Sequence, residues 1–196
     1  ARILCEKFGF SYFESGAYLR RMAEKNVEIK KIMDEGKLVP DKEFTSYLTA
    51  FLDQEHLYDD ILFDGFPRTL SQYQFLKNWL TEKEVGINLV LVLQISEEET
   101  VRRLSARRMD PATGEIYNLV TDPPPAGIDQ TVLIHRDDDK PDAIKQRLTV
   151  YRGQTESLIL ELNKDTKVVE LDGERPIAVI AEDLAKIVEE IKEGRS

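Results

Sequence analysis

The chain has 196 residues, enough for one domain with inserted subdomains, and its 41% hydrophobic and 33% charged residues are those of a globular protein. A formal net charge of −10 argues against nucleic acid or an anionic membrane as partner. No run of 18 apolar residues and no signal segment occurs, so the cytoplasm is the expected compartment, and the single cysteine, Cys5, excludes an internal disulfide and a cysteine-rich zinc cluster.

In chain order, residues 1–8 read as the end of a helix stopped by Gly9, and Phe10–Phe13 as a short strand. Ser15 is a candidate cap for a helix from Gly16 to about Lys25, and Val27–Asp34 continues as a second helix ended by Gly36. Lys37–Pro40 forms a turn, after which Asp41 caps a helix to about Leu52. Ile61–Phe63 is a continuous apolar run, the pattern of a parallel strand buried on both faces. A helix from about Leu70 to Leu80 follows, then Leu89–Ile95, the strongest strand in the chain. Ser96 caps a helix carried to about Arg108.

Residues 110–136 differ, with four prolines, two glycines and short β-prone pieces at Ile116-Tyr117 and Val132–Ile134, as suits a small turn-rich excursion. Pro141 opens a long helix with Ile144, Leu148, Tyr151, Leu158 and Leu162 on one stripe. Lys167–Leu171 is a strand, and Pro176–Lys192 closes the pattern as an amphipathic helix. Alternating strands and helices predict a parallel α/β sheet with helices on both faces, whose ligands bind beyond the carboxyl ends of the strands, where Asp64 and Ser96 lie.

The segment Leu62–Gln72, LFDGFPRTLSQ, carries the most chemistry. A carboxylate at the end of a buried strand needs compensation, and a hydrated Mg²⁺ would give it to Asp64. Gly65 allows close approach to the backbone, Pro67 stiffens the turn, and Arg68 presents a planar fork that fits phosphate oxygens in pairs. Arg102, Arg103, Arg107 and Arg108 concentrate charge within seven residues, either to hold a small polyanion or to pair with Glu97, Glu98 and Glu99 along a helix. His56 and His135 fit surface positions better than catalytic ones.

The string DGFPRT with Gln three residues on closely resembles adenylate kinases, of the nucleoside monophosphate kinase family. FESGAYLR at 13–20, GKLVP at 36–40, RRLSARR at 102–108, DPATGEIYN at 110–118, RDDD at 136–139 and QRL at 146–148 follow in that family's order, so the resemblance covers essentially the whole chain. It implies a P-loop-type parallel β-sheet flanked by helices, a small helical monophosphate-binding insertion at 14–39 and a turn-rich β lid at 109–136 without zinc. It further implies reversible transfer from ATP to AMP giving two ADP, with Mg²⁺, in a monomer.

Carried over residue by residue, the resemblance places Ser15, Gly16, Arg20, Lys37, Leu38, Val39, Gly65, Phe66, Pro67, Arg68 and Gln72 in the AMP site. Arg20 and Arg68 would grip the α-phosphate, and the Gln72 amide would read the adenine edge. Arg103 and Arg107, four apart and so on one helix face, would meet the donor's phosphates. Ile116, Tyr117, Gly173 and Arg175 would surround the donor base. Arg136 and Arg147 would close on the transferring group, oriented by Asp138 and Asp139, and Asp64 would hold Mg²⁺ through water. This set also makes physical sense: phosphoryl transfer between nucleotides needs charge neutralised, oxygens held in line and water excluded, rather than a general base.

The sequence departs from the family in having no GxxxxGK[ST] loop. A central strand plus that loop, roughly 15–20 residues, is expected upstream of Ala1, and without it the sheet would carry a gap and the chain would be inactive. Ala17 stands where the family usually has Asp, Asp137 makes the RDDD run more acidic, and Arg175 stands where Lys is common. Two other readings remain at this level: the same fold with GTP or another nucleotide pair, and a non-catalytic nucleotide-binding or interaction protein.

Overall fold

The computed structural model describes residues 1–194 apart from 56 and 58, so the expectation for His56 lies outside the described residues. Two parallel strand pairs form its centre. Strand β1 (Ser11–Glu14) pairs with β2 (Ile61–Asp64), Ser11 opposite Ile61 and Glu14 opposite Asp64. Strand β3 (Val90–Gln94) pairs with β6 (Val168–Asp172), Val90 opposite Val168 and Gln94 opposite Asp172. Both pairs have the parallel sense that βαβ patterning predicts. A third, antiparallel pair, β4 (Arg107–Met109) with β5 (Ile116–Asn118), lies in the turn-rich excursion, where Met109 also bridges Ile134.

Among the described residues no ladder joins β2 to β3. This corrects the expectation that Ile61–Phe63 is buried on both faces: β2 is half-buried throughout, and Leu93 of β3 is 47% exposed. An apolar strand loses solvent fully only where a neighbour and a helix layer cover it. The two pairs still share apolar packing, because Leu62, Leu91 and Leu171 meet Leu4, Ile180, Leu184 and Ala185 from helices α1 (Arg2–Phe8) and α9 (Ile177–Glu193).

The larger core lies on the other side. Phe13 of β1 packs with Ile29 of α3 (Val27–Asp34), with Phe44, Leu48 and Leu52 of α4 (Asp41–Gln54), and with Leu76, Trp79 and Leu80 of α5 (Leu70–Glu82). This cluster ties the helical insertion to the strand ends, and burying one such side chain contributes about 1.5–3 kcal/mol.

Local chemistry sets the helix boundaries. Gly9, at φ 74°, ends α1 by returning its N–H to the Cys5 carbonyl. Asn26 caps α3, Thr69 caps α5, and Ser96 caps α6 (Glu97–Ala106). Two expected caps are corrected. Ser15 is the first residue of α2 (Ser15–Ala23) and spends its hydroxyl on the Gly65 carbonyl, and Asp41 lies inside α4 with Pro40 before it. Helix α6 stops at Ala106 rather than Arg108, because Arg107 takes extended backbone and enters β4. The long helix from Pro141 is not continuous either: α7 (Pro141–Val150) passes through a π-helical turn at Tyr151–Thr155 into α8 (Glu156–Asp165). That turn breaks the 3.6-residue stripe, so Ile144, Leu158 and Leu162 are buried while Tyr151 is 38% exposed. His135 is exposed, as expected.

Candidate active site

The carboxyl ends of β1 and β2 set two acids side by side, Glu14 opposite Asp64. The Tyr12 hydroxyl donates to Asp64 Oδ2 at 2.8 Å and lies 3.5 Å from Glu14 Oε2. Burial, then this hydrogen bond, pushes the Tyr12 pKa up, so the hydroxyl remains a donor. Glu14 Oε1 accepts from Arg20 Nη2 at 2.9 Å, which aims that guanidinium along the cleft wall.

The chain then turns at Gly65, whose φ of 70° and surroundings exclude a side chain. A Cβ there would lie 2.7 Å from Arg68 Nη2 and 2.9 Å from Ser15 Oγ. The Gly65 carbonyl accepts from both Ser15 Oγ and Arg68 Nε, each at 2.7 Å. Thus Arg68 is steered by its Nε, while its two terminal nitrogens carry no described hydrogen bond and border the cleft. The Thr155 hydroxyl, from the π-helical turn, donates to the Arg68 carbonyl at 3.1 Å.

Across the cleft, paired acids hold three more arginines. Asp138 accepts a fork from Arg136, with Nε at 3.0 Å and Nη2 at 2.6 Å. Asp139, 0% exposed, accepts a second fork from Arg107, with Nε at 2.8 Å and Nη2 at 2.5 Å. Arg147 Nη1 lies 3.6 Å from Asp139 and 3.9 Å from Asp138. Burial first, and then the charge of Arg107, pulls the Arg147 pKa down to about 10. Burial likewise lowers Arg68 and, together with the charge of Arg136, Arg20. Burial works to raise Asp138, but hydrogen bonds from Arg136 and the charges of Arg136, Arg147 and Arg107 keep it below the usual carboxylate range.

Arg20, Arg68, Arg107, Arg136 and Arg147 therefore line one cleft of about 900 Å³, with Ser15, Gly16, Gly65, Pro67, Gln72 and the turn Lys37–Val39 on its other walls. A body of net charge −10 thus gathers five arginines on one cleft, and burial weakens the hold of Arg20, Arg68 and Arg147 on their protons, as suits a site for an anion.

Not every expected residue is there. Phe66 is 5% exposed and packs against Phe44 and Phe63, as part of the core rather than the cleft wall. Arg103 and Arg107 do not share a helix face, since α6 ends between them. Arg103 binds Glu99 at 2.6 Å and the carbonyls of Gly173 and Glu174 at 2.8 and 3.1 Å, away from the cleft lining. Arg175 pairs with Asp183 at 2.9 Å. Tyr117 is buried with its hydroxyl on Glu115, and Ile116 is 41% exposed; neither borders the cleft. Of the arginine-rich run, Arg102 and Arg103 do pair with Glu99, while Arg107 joins the cleft.

The sequence reading missed Tyr12, Glu14 and Thr155, and gave Asp41 the wrong partners. Glu14 carried a usable signal, a carboxylate at a strand end directly before a helix; the others depend on contacts distant in sequence. Among the described residues no group of three or more His, Cys, Asp or Glu is placed to share a metal ion, and no helix is long and apolar enough to cross a membrane. Asp64 borders the cleft, and its Oδ1 carries no described hydrogen bond, which suits a hydrated hard cation held through water.

The adenylate kinase family model matches residues 1–167. An adenylate kinase of Petrotoga mobilis is 33% identical over 96% of this chain and 90% of its own length. Those of Salinibacter ruber and Methanothrix thermoacetophila are each 35% identical, covering 88% and 96% of this chain and 83% and 91% of their own. The chain belongs to the adenylate kinase family.

Proposed function

We propose that the arginine-walled cleft performs the adenylate kinase reaction, transfer of the γ-phosphoryl group of ATP to AMP to give two ADP, and that it does so by holding charge in place. An oxygen of the AMP phosphate forms the new bond to the γ-phosphorus as the bond to the oxygen bridging the β- and γ-phosphates breaks. The nucleophile is already an anion, so no base is needed. Arg20 and Arg68 hold the acceptor phosphate: Arg68 enters with its terminal nitrogens uncommitted, and Arg20 with one nitrogen on Glu14. Arg136, Arg147 and Arg107 stand on the facing wall, where Asp138 and Asp139 fix their planes before substrate arrives, so little reorganisation remains for the transfer.

Gln72, which lines the cleft, meets the monophosphate's base. Asp64 suits Mg²⁺, which when bound would neutralise phosphate charge. Arg103, Arg175, Tyr117 and Ile116, placed by the resemblance around the donor, stand off this cleft and belong to a donor side that its walls do not include. The cleft supports an anion-binding site, and the adenylate kinase relatives favour catalysis over a non-catalytic role. The excursion at 109–136 serves as the lid and the helices at 14–39 as the monophosphate arm. Protein of this kind is expected to act as a cytoplasmic monomer.

Since no GxxxxGK[ST] string occurs in these residues, a backbone cradle for the donor's phosphates is not among the groups described. A coupled assay of ADP formation should show AMP-dependent turnover that falls by orders of magnitude in Arg68→Lys, which replaces a fork with a point charge, and AMP binding should weaken about a hundredfold in the same variant. AMP affinity untouched by that substitution would remove Arg68 from the site.

A further inference from the structure

Gln72 is held by partners of fixed polarity, and these decide which base its amide can accept. The side chain is 4% exposed yet borders the cleft. Its Oε1 accepts from the backbone N–H of Arg68 at 2.8 Å, and its Nε2 donates to Asp41 Oδ1 at 2.8 Å. A backbone N–H only donates and a carboxylate only accepts, so turning the amide over would set donor against donor and acceptor against acceptor. Asp41 is fixed in turn. Its Oδ2 accepts from Thr69 Oγ1 at 2.8 Å, and that oxygen accepts from the Gln72 N–H at 3.1 Å as the cap of α5. Asp41 itself does not border the cleft.

One N–H and one oxygen lone pair of the amide remain for a ligand. The adenine edge presents a donor at N6 beside an acceptor at N1. A 6-oxopurine presents the reverse, an acceptor at O6 beside a donor N1–H. A glutamine free to rotate about its last torsion would satisfy either by a half-turn. A glutamine held in one orientation satisfies one and opposes the other, which leaves buried polar groups unpaired and is the strong form of discrimination.

Resting on the reading of Gln72 as the base contact, we propose that Asp41 is a specificity-determining positioning residue: its acceptor-only carboxylate fixes the Gln72 amide in one orientation, so the site takes 6-aminopurine monophosphates and rejects 6-oxopurine ones. Asp41 does this without touching the nucleotide.

The test is Asp41→Asn in the whole chain, with AMP and IMP binding measured by calorimetry. Asparagine keeps the volume but offers both an oxygen and an NH₂, so either orientation of the Gln72 amide finds a partner at this position and only the Arg68 N–H still resists a half-turn. The IMP-to-AMP ratio of Kd should fall about tenfold, mainly through tighter IMP, consistent with the loss of one charge-assisted hydrogen bond. A purely structural role would lower the melting temperature and leave that ratio where it was. Asp41→Ala, which leaves only the Arg68 N–H to resist a half-turn, should move the ratio the same way. A ratio within twofold of the parent in both variants overturns the proposal. Gln72→Leu separates the two levels of the argument. If it abolishes discrimination while the Asp41 variants do not, the lock fails and base reading stands; if it leaves the ratio intact, base reading fails and the lock with it.

Discussion

Removing Asp139 should destabilise the protein strongly. Its carboxylate is 0% exposed and accepts both nitrogens of the Arg107 fork, with Arg147 Nη1 3.6 Å away. Asp139→Ala leaves two guanidinium groups facing each other without their shared acid. Breaking a buried pair by deleting one partner costs about 3–5 kcal/mol. The Arg107 side chain keeps 21% of its surface in solvent and can partly rehydrate, so the lower end, about 3 kcal/mol, is expected. For a chain of this length that corresponds to a fall of roughly 6–12 °C in Tm, readable by calorimetry at pH 7. Asp139→Asn, which keeps one acceptor oxygen, should lose about half as much, and added phosphate should restore part of the loss by occupying the cleft. Replacing both partners by apolar residues, as in Asp139→Leu with Arg107→Met, should recover much of the deficit, because desolvation of the pair then no longer opposes folding. A Tm within about 1 °C of the parent for Asp139→Ala would refute the idea that this acid holds the arginines in place.

Two other outcomes follow from the geometry. Gly36 stands at φ 70°, and a Cβ there would lie 2.4 Å from the Ala143 carbonyl oxygen and 3.1 Å from Arg147 Cγ. Gly36→Ala should therefore cost about 2–5 kcal/mol in urea unfolding and weaken AMP binding, whereas a loss under about 1 kcal/mol would show that the turn relaxes without strain. Hydrogen bonds from Arg102 and Arg103 hold the Glu99 carboxyl down to about 2, below its ordinary 4.5. A depressed carboxylate stabilises fully above its unfolded pKa and loses that contribution as pH falls through the folded one. The Tm gap between parent and Glu99→Gln should be constant above pH 4.5 and close toward pH 2; a gap that widens on acidification would reverse the assignment.

Much of the fold could be read locally. Ser96 caps a helix where its spacing places it, Gly9 stops α1, and the apolar runs at 61–63 and 89–95 hold strands. The misreadings share one cause. Ser15 and Asp41 have the composition of caps, but their oxygens serve partners fifty and thirty-one residues away, Gly65 and Gln72. The end of α6 was hidden because β4 is defined by its pairing with Ile116–Asn118, and nothing in RRLSARR announces that partner. The π-helical turn at Tyr151–Thr155 likewise breaks a stripe that reads as continuous. The cleft arginines were found through motif resemblance rather than periodicity, while the role of Tyr12 became visible only when β1 and β2 set their ends side by side.

The most direct measurement is a crystal structure of the chain with AMP bound. The phosphate oxygens should lie about 3 Å from the guanidinium nitrogens of Arg20 and Arg68, with Arg136 and Arg147 facing the same anion. An AMP phosphate seated elsewhere, with those four arginines turned to solvent, would contradict the claim that this acidic protein gathers them to hold phosphate.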